Sequence, residues 1–214
     1  PTWLAVLIPA TPAGRWRATG ATSRMILRLT GTRLTVAGLG NLPTGGGVLA
    51  VNHSSYIDGL SMVASLPRPS HFVAKSELGR QYFARRFLGR LGTIFVERGD
   101  AARGVEDVGK AVAAAAAGEL AIFFPEGTFQ RRPGLLPFRL GAFQAAAEAR
   151  VPVVPVALTG TRNILRGGGW FPRRGSIAVT IGKPIPSAGA EWSAVLALRE
   201  ATRQALAAAV NEPD

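Results

Sequence analysis

Gly47-Val48-Leu49-Ala50-Val51-Asn52-His53-Ser54-Ser55-Tyr56-Ile57-Asp58-Gly59 is the stretch on which the reading of this chain turns. The apolar run Val48 to Val51, entered through three consecutive glycines at 45–47, has the length and flanks of a buried strand. It stops at Asn52-His53, and a helix is expected to start at Ser54 or Ser55. A histidine at the carboxyl end of a buried strand stands where open α/β sheets place their chemistry. Asp58 follows five residues later. On one continuous helix that spacing would turn the side chains roughly 140° apart. With His53 in the loop and Asp58 in the first helical turn, they can meet. A carboxylate bonded to one ring nitrogen fixes the tautomer and leaves the other nitrogen to take a proton. The same residues admit a plainer reading, because Ser55-Tyr-Ile-Asp58 fits a capping box in which Asp58 only closes a helix end.

Outward from this stretch, strands and helices alternate. Thr32 to Val36 reads as a strand, Ser55 to Leu66 as a helix closed by Pro67-Arg68-Pro69, and His71 to Ala74 as a strand. A basic amphipathic helix follows, with Tyr82, Phe83, Phe87 and Leu88 among Arg80, Arg85, Arg86 and Arg90. Strands are expected at Thr93 to Val96, Leu120 to Phe124, Val151 to Leu158 and Ile177 to Ile181. Helices are expected at 104–117, 140–149 and 190–210. This pattern predicts the α/β class: a single-domain αβα sandwich whose largely parallel, mixed sheet is flanked by helices. Residues 31–214 would form that domain. Residues 1–30 would be a short amphipathic helical segment broken by Pro9, Pro12 and Gly14. Its mixture of Trp3, Leu4 and Trp16 with Arg15, Arg17, Arg24 and Arg28 suits a helix lying on lipid and equally one packed on the body.

Composition narrows the function. The chain has 214 residues, enough for a substantial core, and is 47% hydrophobic. It has no cysteine, which excludes disulfides, thiolate catalysis and cysteine-ligated metals. Its two histidines, His53 and His71, argue against a multi-histidine metal site, so no metal is expected. The net charge of +12 asks for an anionic partner. Aromatic residues are few and do not interleave with the basic ones, so nucleic acid is not the expected partner. No apolar run reaches the roughly 20 residues that span a bilayer, and the expectation is a peripheral protein on an anionic membrane surface. Gly104 to Lys110 nearly fits a phosphate-binding loop, but Ala111 stands where the metal-binding Ser or Thr belongs.

Four expected strand ends carry polar chemistry: Asn52-His53 with Asp58, Lys75, Glu97-Arg98, and Glu126-Gly127-Thr128. In a parallel sheet these ends converge on one edge. At these residues the chain resembles the glycerolipid acyltransferase superfamily that includes the 1-acylglycerol-3-phosphate acyltransferases. Asn52 to Asp58 is similar to its first motif, Gly92 to Arg98 to its second, Phe124 to Thr128 to its third and Val151 to Val156 to its fourth. Lys75-Ser-Glu-Leu78 and Ile181-Gly-Lys-Pro-Ile185 resemble further family segments.

The resemblance implies transfer of a fatty acyl group from an acyl thioester, on coenzyme A or acyl carrier protein as co-substrate, to the hydroxyl of a lysoglycerolipid. Lysophosphatidate is the default acceptor, and no cofactor is implied. His53 would be the general base, oriented by Asp58. Lys75 and Arg98 would bind the acceptor phosphate, and Glu126, Gly127 and Thr128 would shape its site. The expected setting is the cytoplasmic face of the membrane. One position departs from the family: Phe129 stands where an arginine usually follows the threonine of the third motif. Arg131, Arg132 or Arg139 would then supply the missing cation, or the acceptor would be another lysophospholipid or an amino-acid-based lysolipid; the rival reading of the basic charge is a non-catalytic module that binds anionic lipid.

Overall fold

Val48 and Ala50 point to one face of their strand and Leu49 and Val51 to the other, as a strand's two-residue period requires, and all four are fully buried. A strand buried on both faces needs a layer of helices on each side. The computed structural model, which describes residues 11–80, 82–97, 101–130, 132–165 and 171–210, has that arrangement. In chain order the elements are α1 (Pro12–Leu29), β1 (Thr32–Ala37), β2 (Gly47–Val51), α2 (Asp58–Ser65), β3 (Ser70–Lys75) and α3 (Tyr82–Arg90). They continue with β4 (Ile94–Val96), α4 (Ala101–Ala116), β5 (Leu120–Phe123), α5 (Gly141–Ala149), β6 (Val153–Thr159), the single turn α6 (Thr161–Ile164), β7 (Gly175–Ile181) and α7 (Trp192–Val210).

The seven strands lie in the order β1-β7-β6-β2-β5-β3-β4. Every neighbouring pair is parallel except β6 and β7. Five strands therefore run one way, and β1 and β7 run back against them. The mixed, largely parallel sandwich expected from the sequence is the fold observed. Leu49, Val51, Ile122, Val154 and Val156 pack on one face with Trp16 and Leu27 of α1 and Met62 and Val63 of α2. Val48, Ala50, Ala121 and Val153 pack on the other with Phe143 of α5 and Val195, Leu198 and Leu206 of α7.

Helix α1 is clamped to the body. Trp16 is buried, and its indole Nε1 donates to the Leu66 carbonyl at 3.1 Å. Arg24 Nη1 donates to the Ala64 carbonyl at 2.8 Å. Both acceptors lie at the C-terminal end of α2, where carbonyls lack helical partners and a cation is favoured. Met25 and Leu29 remain exposed on the outer side of α1.

Two local expectations are corrected. The helix placed from Ser54 or Ser55 begins only at Asp58, because residues 54–57 form a turn around the Asp58 carboxylate. Gly104 and Gly109 lie within helix α4, so the segment resembling a phosphate loop has no loop geometry.

Candidate active site

The carboxyl ends of β2, β5, β3, β4 and β6 share one edge of the sheet, and β2, the fourth of the seven strands in the sheet, delivers Asn52 and His53 there. Asn52 is buried. Its Nδ2 donates to the Leu158 carbonyl at 2.9 Å and its Oδ1 accepts from the Leu158 amide at 2.6 Å. A side-chain amide thereby continues the β2–β6 ladder by one rung and fixes where the next residue leaves the sheet.

That residue is held at two further points. The His53 amide donates to Glu126 Oε1 at 2.7 Å, and His53 Nδ1 lies 2.8 Å from Asp58 Oδ2. The same Asp58 oxygen accepts from the Ser54 and Ser55 amides at 2.7 and 2.8 Å. Both readings of the sequence are therefore present on one atom. Asp58 accepts the Ser55 amide as the acidic arm of a capping box does, and it also orients the imidazole. Ser55 does not return the other half of the box, because its hydroxyl donates to the Leu165 carbonyl at 2.7 Å. With a carboxylate as acceptor, Nδ1 carries the hydrogen and Nε2 the lone pair. Asp58 is fully buried, whereas the His53 side chain is 21% exposed.

Glu126, expected to shape the acceptor site, is a buried strut beside His53. Its second oxygen accepts from the Leu136 amide at 2.8 Å, so both oxygens are committed to backbone and tie the loop after β2 to the segment after β5. Burial pushes its carboxyl above the ordinary value of 4.5, against the opposing pull of the His53 and Leu136 amides. Gly127, at φ 73°, forms the turn that closes back on the Phe124 carbonyl, and Thr128 is exposed beyond it.

The other expected residues separate. Lys75 does end β3 on the shared edge, but its ammonium pairs with Glu77 at 2.6 Å and is about half exposed. Glu97 accepts from the Ser76 hydroxyl at 2.8 Å, joining the ends of β3 and β4. Arg139 is exposed, with its amide bonded to the Pro125 carbonyl. Arg98 and Arg131 lie outside the described residues.

Sequence reasoning missed three features. Asn52 was part of the motif but had no assigned role. The imidazole is lined by aromatic rings: Phe124 stacks on it at 4.4 Å, Phe129 meets it edge-on at 4.7 Å, and Tyr56 meets Phe129 at 4.8 Å. Tyr56 in turn lines an apolar cavity of about 320 Å³ between α1, α2, β3 and α3, with Leu60, Val63, Phe72, Phe87 and Leu91 in its wall. The third is Arg162, on the turn after β6, whose Nη2 donates to Ser54 Oγ at 3.3 Å. An isolated arginine past the last motif gives no sequence signal that it returns to a residue 108 positions earlier.

A protein-family model described as Acyltransferase matches residues 33–159. The chloroplastic 1-acyl-sn-glycerol-3-phosphate acyltransferase BAT2 of Brassica napus is 32% identical over 153 residues, covering 70% of this chain and 44% of that protein. The 1-acyl-sn-glycerol-3-phosphate acyltransferase alpha of Homo sapiens is 29% identical over 223 residues, covering 98% of this chain and 77% of that protein. The chain also spans 66% of the length of a Caenorhabditis elegans relative and 45% of an Arabidopsis thaliana one. The crystal structure of the 1-acyl-sn-glycerophosphate acyltransferase PlsC of Thermotoga maritima superposes with a TM-score of 0.78 over 98% of this chain and 86% of that one. At 20% identity this likeness speaks to the fold.

Proposed function

Since this chain belongs to the acyltransferase family, we propose that it moves a fatty acyl group from an acyl thioester to the hydroxyl of a lysoglycerolipid, with lysophosphatidate as acceptor and phosphatidate as product. His53 is the general base. Its Nε2 takes the acceptor's hydroxyl proton while that oxygen attacks the thioester carbonyl. The tetrahedral intermediate then collapses, the carbon–sulfur bond breaks, and the proton passes from His53 to the departing thiolate. The donor is an acyl-coenzyme A or an acyl carrier protein, and no cofactor takes part.

The observation that carries this reading is the 2.8 Å contact between His53 Nδ1 and Asp58 Oδ2 at the end of the central strand. It fixes the tautomer a base needs. The aromatic path from His53 through Phe129 and Tyr56 to the apolar cavity supports a fatty substrate beside that base. The proposed setting is peripheral, at the cytoplasmic face of a membrane. The net charge of +12 and the exposed Met25, Leu29 and Tyr82 support an anionic lipid surface. Among the described residues no helix is long and apolar enough to cross a membrane.

Phe129 favours a second reading, in which the acceptor is a lysolipid with another head group. The test is mass spectrometry of products from a lysolipid panel offered with acyl-coenzyme A and acyl carrier protein thioesters. The expected outcome is phosphatidate from lysophosphatidate, reduced about 10²-fold or more by His53→Ala. If that variant kept more than about a tenth of the rate, His53 would not be the base. Thioester consumption that releases free fatty acid without any acceptor would point to a hydrolase instead.

A further inference from the structure

At the place where the family resemblance calls for a cation, this chain presents a phenyl ring. Phe129 packs edge-on to His53 and against Tyr56, so no side-chain charge reaches the imidazole from that position. The described alternatives lie elsewhere: Lys75 is paired with Glu77, and the side chains of Arg132 and Arg139 face solvent.

Arg162 is placed differently. Helix α6 follows β6, which neighbours β2 in the sheet and runs parallel to it, so the two strand ends open side by side. Gly160, at φ 87°, makes the turn out of β6. Arg162 is half-buried, and its guanidinium bridges two loops, with Nη2 donating to Ser54 Oγ and Nη1 to the Arg132 carbonyl. Ser54 adjoins His53 in the chain, is itself buried, and donates its amide to the carboxylate that orients the imidazole.

We infer that Arg162 is the acceptor-binding cation, taking from the segment after β6 the role that position 129 has given up. Only the identity of the ligand rests on the proposed acyl transfer. In a lysophosphatidate the phosphate sits on the glycerol carbon next to the one bearing the reacting hydroxyl. A cation that serves this acceptor must therefore lie close to the base, and Arg162 bonds to Ser54, the residue that follows His53 in the chain. Two of its acceptors, a hydroxyl and a backbone carbonyl, are neutral. A phosphate accepts more strongly and matches the planar guanidinium fork, so it would displace one of them.

The experiment titrates the full chain with sn-glycerol 3-phosphate by calorimetry, comparing the wild type with Arg162→Gln, Arg162→Lys and Arg33→Gln. The last carries the same change of charge at an exposed site on β1. The expected result is affinity weakened about tenfold or more in Arg162→Gln, partly recovered in Arg162→Lys and nearly unchanged in Arg33→Gln. The KM for lysophosphatidate should rise in parallel, with kcat changed less than about threefold. No binding by the wild type, an affinity in Arg162→Gln within about twofold of it, or equal losses in Arg162→Gln and Arg33→Gln would overturn the inference. A wild type that binds glycerol 3-phosphate but transfers no acyl group would sink the acyltransferase reading and leave the cation site standing.

Discussion

Asp58 Oδ2 accepts three hydrogen bonds at once, and this overlap decides what substitutions at Asp58 will do. An asparagine can offer one oxygen to the same three donors, so Asp58→Asn should keep the turn at 54–57 while removing the charge that favours the protonated imidazole. Transfer is expected to fall about 10²-fold or more, with the thermal midpoint little changed. An unaltered rate would mean that Asp58 is a cap and nothing else. Asp58→Ala leaves two buried amides without an acceptor and should cost about 1–3 kcal/mol for each. Glu126 makes a second prediction at this scale. Its carboxyl titrates above 4.5 in the folded chain, so as pH rises through the ordinary range the unfolded chain releases this proton first. Through that window Glu126 progressively lowers stability, until its own elevated folded value is passed. Glu126→Gln removes this dependence and loses the bond from the Leu136 amide. In urea titrations from about pH 4 to about pH 7, the variant should begin less stable than the wild type, and the gap should narrow as pH rises.

At the scale of elements, the chain's periodicities were strong where burial is two-sided and weak where one side chain organises a turn. The runs at Val48 to Val51, Leu120 to Phe123 and Val153 to Leu158 announced buried strands, since little but aliphatic residues can fill a layer covered on both faces. The start of α2 was not legible, because what delays it is Asp58 holding the amides of Ser54 and Ser55, a matter of atoms rather than of pattern. His53 and Asp58 could be paired from their spacing, but the commitment of Glu126 to backbone could not, since it joins segments from different strands. The same holds for Arg162, whose position depends on the glycine turn before it. A Cβ on Gly160 would collide with the Ser176 carbonyl and would meet a positive φ as well. Gly160→Ala is therefore expected to destabilise by about 1–3 kcal/mol and to weaken glycerol 3-phosphate binding together with Arg162→Gln, as unfolding and calorimetric curves would show. Clamping of α1 is also an element-level property. Trp16→Ala removes a fully packed indole and its bond to Leu66, and should cost about 3–5 kcal/mol in chemical denaturation.

For the whole molecule, the excess of cations sets the expected response to lipid. Vesicles rich in anionic phospholipid should bind the chain more tightly than zwitterionic ones, and salt raised from about 0.05 to about 0.5 M should release it, because surface attraction is screened over a few ångströms at the higher value. Binding indifferent to both variables would remove the electrostatic argument for a membrane site. The reversal of direction between β6 and β7 reaches further still. Through it β1 finds its partner in β7, with Asn41 reaching the Ile181 carbonyl across 140 residues. While the polypeptide is being made, β1 has no neighbour in the sheet until β7 has emerged. Helix α1, which precedes that strand, supplies Thr19 and Ser23 to the wall of the apolar cavity. The two parts of this opening segment therefore dock on different schedules: α1 finds its anchors at Ala64 and Leu66 as soon as α2 has been made, whereas β1 stays an open hem until β7 follows.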